Sequence, residues 1–224
     1  IQKKASPIIL QKKDCLVIAP TGSGKTECSV IPIFSLLKNS KENGKIKVLY
    51  ITPLRALNRD VFRRITKYAH DNELSIEIRH GDTSQKDRKK ISENPPDVLI
   101  TTPETLVILL TQIKYLDALS DLEWIVIDEV HHILAGSLHR QRAFLNVLKY
   151  LSNELKISIV GVGTKDAFQA IQTDPQFANR FEPVGIPRWE LNEEFLRLLV
   201  SFEKVLPLKV PSMLHQNELA RTLF

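Results

Sequence analysis

An α/β fold, with a parallel sheet covered by helices on both faces, is predicted by three observations in this 224-residue sequence. Short apolar runs of strand length alternate with longer amphipathic stretches, the pattern of strands joined by crossover helices. Those short runs are apolar throughout rather than alternating, as strands buried on both faces must be. The first of them leads directly into a glycine-rich loop and then a helical stretch.

Taken in order, the strands are expected at 15–19, 48–52, 76–80, 98–101, 124–127 and 157–161, each a cluster of Val, Ile, Leu or aromatic residues. The helices are expected at 25–37, 56–71, 85–92, 104–110, 138–155, 167–172 and 192–205. Pro32 lies inside the first helix and should kink it or mark an irregularity. Thr102 followed by Pro103 is an N-cap with proline at the first helical position, so a helix starts there. In the long helix, Leu138, Leu145, Leu148, Leu151 and Leu155 fall roughly on one face, which packs on the sheet. From about residue 187 the alternation stops, and Pro183, Pro187, Pro207 and Pro211 punctuate a helical, charged piece. The expected division is therefore a domain over 1–186 and a truncated helical lid over 187–224.

Residues 19–26 read APTGSGKT. Gly22-Ser23-Gly24-Lys25-Thr26 is a phosphate-binding loop (Walker A), with Ala19 where the strict pattern has glycine. Its position between a strand and a helix aims backbone N–H groups at phosphate oxygens. The cradle is Thr21 through Thr26, with Lys25 on the β- and γ-phosphates and Thr26 on Mg²⁺. Residues 124–129 read WIVIDE, an apolar strand ending in two carboxylates. Asp128 fits the Walker B acid that binds Mg²⁺, and Glu129 the base that activates water. ATP and Mg²⁺ are thus the expected cofactors.

A net charge of +5 is compatible with nucleic acid and does not by itself establish it. Cys15 and Cys28 lack C-x-x-C spacing and read as buried thiols of a reducing, cytoplasmic compartment. No apolar run is long enough to cross a membrane, and there is no signal-peptide pattern. The first residue is not Met, and the chain starts as if inside a structured segment, so it reads as a fragment. His131 and His132 are adjacent and should project in different directions, a poor metal pair: His131 is expected to make motif contacts and His132 to pack. Trp189 is expected to bury its ring against the lid helix. The run Lys86-Asp87-Arg88-Lys89-Lys90 reads as a solvated helix face.

Two family resemblances follow from these motifs. Residues 1 to about 132 resemble the first motor domain of superfamily 2 helicases, especially the large helicase-related (Lhr) type. IQKKASPIIL resembles the Q motif, APTGSGKT motif I, TPLRAL at 52–57 motif Ia, HGDTS at 80–84 the segment that follows, TTPETL at 101–106 motif Ib, and DEVH at 128–131 motif II in its DExH form. The resemblance implies that Gln2 reads adenine and that Arg55, Asp82 and Thr102 contact DNA or RNA. A Ser-Ala-Thr motif III is expected next and does not appear.

Residues from about 128 to 224 resemble instead TniB, an AAA+ ATPase of transposons, through HHILAGSLHRQRAFLNVLKYLSNEL, VGVGTKDAFQAIQTDPQFANRFEP and IPRWELNEEFLRLLVSFEKVLPL. That likeness implies Thr164 as a sensor on the γ-phosphate or its water. It implies Arg180 as an arginine finger toward a neighbouring subunit, the alternative being a surface salt bridge. The chain thus reads as a RecA/AAA+-like P-loop NTPase joined from two families between about residues 127 and 137. The expected function is Mg²⁺-dependent ATP hydrolysis by a helicase-type domain acting on nucleic acid. The alternatives are an oligomeric AAA+ transposition ATPase, self-associating or meeting transposition partners through the C-terminal half, and a nucleotide-binding domain without catalysis.

Overall fold

A computed structural model describes residues 2–38, 44–134, 138–172, 174–186, 190–205, 213–216 and 221. In chain order its elements are α1 (Gln2–Leu10), β1 (Cys15–Ile18), α2 (Lys25–Leu37), β2 (Val48–Ile51), α3 (Arg55–Asp71), β3 (Ile76–Arg79), α4 (Gln85–Glu93), β4 (Val98–Thr101), α5 (Pro103–Leu109), α6 (Ile113–Ala118), β5 (Trp124–Ile127), α7 (Val130–Leu134), α8 (Leu138–Leu155), β6 (Ser158–Gly163), α9 (Lys165–Gln172), α10 (Pro175–Ala178), β7 (Glu182–Gly185) and α11 (Glu193–Val205). The expected strands and helices are all present, with ends shifted by one or two residues. The sequence reading did not separate out α1, α6, α7, α10 and β7. Pro32 does not interrupt α2, which runs on to Leu37, although the carbonyl of Cys28 loses the amide it would meet in an unbroken ladder.

Among the described residues, seven strands form one sheet in the order β3-β4-β2-β5-β6-β1-β7, with every pairing parallel. Strands β2, β4, β5 and β6 are buried along their whole length, which explains their continuous apolar sequences. Neighbouring residues of β1 point to opposite faces. Leu16 joins a core with Leu106, Tyr115, Phe144, Leu148 and Ile171, from the helices of one layer. Cys15 and Val17 join the other, with Ile9, Phe34, Val61 and Ile65. Strand β7 reads Glu-Pro-Val-Gly and, among the described residues, pairs only with β1. An edge position tolerates Pro183, whose missing N–H would break a central ladder.

Two consequences position the site. First, because all strands are parallel, every strand C-terminus lies along one edge of the sheet, where open α/β sheets bind ligands. Residues 19–26, 52–55, 80–84, 102–103, 128–131 and 164 all follow those ends. Second, β6 lies between β5 and β1, with Val126 opposite Val160 and Val17 opposite Val162.

Residues 187–224 form a second compact unit. Within it, Asn192 accepts a hydrogen bond from the Phe195 amide at 3.1 Å, and Phe195 and Leu199 pack with Leu196, Leu198 and Leu214. The expectations for Pro187, Trp189, Pro207 and Pro211, and for Gly136 and Ser137 near the supposed joint, lie outside the described residues.

Candidate nucleotide site and the strand-end edge

The loop after β1 is shaped by two glycines at φ +78° (Gly22) and φ +77° (Gly24), a left-handed conformation that side chains disfavour. Gly24 is the N-cap of α2, and no side chain caps that helix, so its first amides stay available to an anion. Ser23 Oγ donates to the Pro20 carbonyl at 2.6 Å and folds the loop back on itself. Thr21 is exposed at its crest. Lys25 is 7% exposed; its ammonium donates to the Ala19 carbonyl at 3.2 Å and lies 3.5 Å from Glu129 Oε1.

Beyond β5, Asp128 is buried, and its Oδ2 accepts a hydrogen bond from Tyr50 Oη at 2.9 Å while Oδ1 accepts the Glu129 amide at 3.0 Å. Burial, and then the charge of Glu129, raise the Asp128 carboxyl above the usual range, while the Tyr50 hydrogen bond, the Glu129 amide and Lys25 pull it back. Tyr50, wholly buried on β2, is raised well above its ordinary value, first by burial and then by Asp128; a hydrogen bond with Thr26 opposes this. Tyr50 therefore orients the Asp128 carboxylate from behind. The sequence does not single it out, since it sits inside the strand run Val-Leu-Tyr-Ile. The available signal was register: Tyr50 stands opposite Val126, two residues before Asp128 and on the same face. Thr26 and Asp128 together offer the hard oxygen donors that Mg²⁺ prefers, so the residues fit that ion.

Glu129 has φ +47°, strained for a side chain of its kind. Its carboxylate reaches Lys25 on one side and His131 Nε2, at 3.5 Å, on the other. The two imidazoles do not diverge as expected: the His131 and His132 ring centroids are 4.2 Å apart. Close packing crowds this corner, because a Cβ on Gly163 would lie 2.5 Å from that of Ala167 and 3.3 Å from His131 Nδ1.

Thr164 follows β6, and its hydroxyl finds no hydrogen-bond partner among the described residues. Ala19 donates its amide to the carbonyl of the preceding Gly163 at 3.0 Å, so Thr164 sits next to the start of the phosphate loop. Arg180 lies elsewhere. It pairs with Asp14, which precedes β1, donates to Ser152 Oγ at 2.6 Å and to the Ile157 carbonyl at 3.2 Å, all at the opposite end of the strands. An arginine finger needs a guanidinium free to meet another subunit's nucleotide; this one is committed within the fold. Gln2 opens α1, and its side chain lies outside the described residues.

Along the β2, β4 and β3 ends, Arg55 and Asp82 are both exposed and pair at 2.6 Å. Arg55 covers Gly81, where a Cβ would meet its Nη2 at 2.7 Å. Thr102 is buried and caps α5 by accepting the Thr105 amide at 3.4 Å. The Thr102 hydroxyl is thereby occupied in capping α5. Lys89 and Lys90 of the basic run pair with Glu93 and Glu77, as a solvated face does. The Cys15 and Cys28 thiols are pushed up to about 12 and about 11, mainly by burial, which leaves them unreactive. No helix among the described residues is long and apolar enough to cross a membrane.

Comparison with known proteins points to one family. The family described as DEAD/DEAH box helicase matches residues 1–164. The ATP-dependent helicase Lhr-Core of Sulfolobus acidocaldarius is 37% identical over 164 residues, covering 64% of this chain and 19% of that protein. Lhr-Core protein 2 of Thermococcus barophilus is 32% identical over 95% of this chain and 26% of its own length. The structure of Mycobacterium smegmatis helicase Lhr bound to ssDNA and AMP-PNP is similar at a TM-score of 0.67 and 30% identity, covering 83% of this chain and 25% of that one. The chain thus spans about a fifth to a quarter of the length of these relatives.

These matches overturn the two-family reading. The helicase match runs unbroken through residues 127–137 to 164, and the T. barophilus relative extends across nearly the whole chain. The AAA+ and TniB assignment of residues 128–224 is withdrawn, and with it the transposition partners, the subunit ring and the AAA+ lid. Strings downstream of a Walker B strand discriminate poorly, because both families continue there with a helix and a further parallel strand. Leu16, Ile125, Val130, Phe144 and Ile159 pack together across the supposed joint. By sequence and by fold, this chain belongs to the DEAD/DEAH box helicase family.

Proposed function

We propose that the domain binds ATP with Mg²⁺, hydrolyses it, and couples that cycle to single-stranded DNA or RNA held along the β2-β4-β3 end of the same edge. One observation carries the reading: Lys25 and Glu129, more than a hundred positions apart in sequence, meet at 3.5 Å beside the buried Asp128 and Thr26. In the free protein the ammonium and the carboxylate neutralise each other. Incoming phosphates draw Lys25 to themselves, which releases Glu129 to take a proton from the attacking water. Mg²⁺, when bound, supplies charge neutralisation at the phosphate oxygens, and Thr26 and Asp128 are the residues that would hold it. Thr164, with its unsatisfied hydroxyl, is assigned to the γ-phosphate or its water, and Gln2 to the adenine. Arg55 and the N-terminus of α5 are assigned to the nucleic-acid backbone, with Asp82 holding Arg55 in place through their ion pair, a set that positions without reading bases. The relatives named above support this reading: they are called ATP-dependent helicases, and the M. smegmatis protein was seen with ssDNA and AMP-PNP.

The test is ATP turnover and nucleotide binding, each with and without single-stranded DNA and RNA. Lys25→Ala should lose nucleotide binding. Glu129→Gln should keep it and lose on the order of 10²–10⁴ in rate, the usual worth of a general base. Parent-like turnover in Glu129→Gln would remove the carboxylate from the mechanism, and a parent protein that binds ATP without turnover would leave a binding domain.

A further inference from the structure

We propose that Glu129, His131 and His132 form a binding site for a borderline divalent transition ion, represented by Zn²⁺, and that its occupancy takes Glu129 out of hydrolysis. One ligand atom from each of the three residues lies within 4.8 Å of the other two. The set is one carboxylate oxygen and two imidazole nitrogens, the donor mixture of three-ligand zinc sites that leave a fourth position for water. It differs in kind from the all-oxygen pair Thr26 and Asp128, which suits Mg²⁺, so the two ions do not compete for the same donors.

The geometry supports this on three counts. The His131 Nε2 already faces Glu129 Oε2 at 3.5 Å, and the rings of His131 and His132 lie 4.2 Å apart, so closing on an ion needs only small side-chain rotations. The backbone is fixed in advance, since Glu129 is held in the left-handed region and Gly163 packs against His131. His132 is exposed, which gives an ion a way in from solvent. Lys25, 3.5 Å from the other Glu129 oxygen, opposes binding by its charge. Phosphates that draw Lys25 away would remove this opposition, while the same ion would hold the carboxylate that water needs. The binding half of the inference stands apart from the proposed catalysis; the inhibitory half rests on it.

The experiment uses the full chain, free of any histidine tag and stripped of metal. Zn²⁺ is titrated by calorimetry in millimolar Mg²⁺, and Co²⁺ is added in parallel to read its visible d–d spectrum. One ion per chain is expected, with the low-symmetry Co²⁺ bands of a mixed nitrogen and oxygen site. His132→Ala removes a ligand outside the nucleotide machinery, and Glu129→Gln removes the carboxylate. Each should weaken Zn²⁺ at least by the roughly 10–100-fold that losing even a supporting partner costs, with nucleotide binding retained as the check on folding. In turnover, Zn²⁺ should inhibit the parent, a chelator should reverse the effect, and His132→Ala should resist it. Absence of stoichiometric binding in the parent, or binding undiminished in both variants, overturns the site. Binding that leaves turnover intact overturns the inhibitory role alone.

Discussion

At the scale of single residues, the site holds charge where burial opposes it. The Asp128 carboxyl is raised above its ordinary value, chiefly by burial, so the folded chain binds its proton more tightly than the unfolded chain. A group shifted in that direction contributes stability below the usual aspartate range and loses it as pH rises through the folded value. At neutral pH Asp128 therefore costs stability in the ligand-free protein. Asp128→Asn should raise the thermal midpoint at pH 7, with the difference fading as pH falls below the ordinary carboxylate range, and should lose the Mg²⁺ dependence of nucleotide binding. A midpoint at pH 7 no higher than the parent's would show that other contacts offset the burial. Tyr50 is the residue that keeps this carboxylate aimed. Tyr50→Phe keeps the ring and deletes the 2.9 Å hydrogen bond. The Mg²⁺ concentration for half-maximal turnover should rise by about tenfold or more, as loss of a partner behind a metal ligand usually does, while metal-free nucleotide binding stays near parental. An unchanged Mg²⁺ curve would reduce Tyr50 to packing.

Between elements, the ion pair of Arg180 with Asp14 ties the segment before β7 to the entry of β1, and its further bonds reach α8 and the approach to β6. Side-chain exposures of 26% for Arg180 and 15% for Asp14 place the pair between a surface bridge and a fully buried one. Arg180→Ala should then cost about 1–3 kcal/mol, below the penalty for breaking a fully buried pair. Chemical denaturation reads that loss, and turnover per folded molecule should stay at the parent level at every protein concentration. A variant of parental stability but much lower turnover would instead mean that this guanidinium reaches a nucleotide. Elements short of strong signal were the ones missed in the sequence. Helices α7 and α10 are 5 and 4 residues long, too brief to show a helical period. Strand β7 has no apolar run because an edge strand buries little, and only Val184 in it is buried.

For the whole molecule, the proposed function gives one sheet edge two jobs. Strands β1, β6 and β5 end at the nucleotide loop, Thr164, and Asp128 with Glu129; strands β2, β4 and β3 end at Arg55, the α5 start and Asp82. The second group consists of one exposed ion pair and one helix N-terminus, both phosphate-type contacts rather than groups that read base edges. Nucleic-acid binding should therefore fall steeply with salt, log affinity dropping by about 0.7 per decade of salt for each phosphate engaged on a single strand, and should vary little with base sequence. Fluorescence anisotropy across a salt series on unrelated oligonucleotides measures both. Affinity flat in salt would place binding elsewhere than on these phosphate contacts.

Local chemistry was enough to determine much of this. A glycine-rich loop between strand and helix, an apolar strand closed by Asp128 and Glu129, and a proline behind the Thr102 cap each declare themselves within a few residues, because backbone conformation and helix-end chemistry are short-range. Fully apolar four-residue runs likewise announced a parallel sheet. What only the tertiary structure decided depends on which strands are neighbours. The hydrogen bond from Tyr50 to Asp128, the pairing of Lys25 with Glu129, and the approach of His131 to His132 arise from strand register and close packing at the β6 end. The internal ties of Arg180 follow from the strands' opposite end, which no motif marks. The likeness of the later residues to a second family misled because a short string reports local composition, whereas the helicase match runs through residues 1–164.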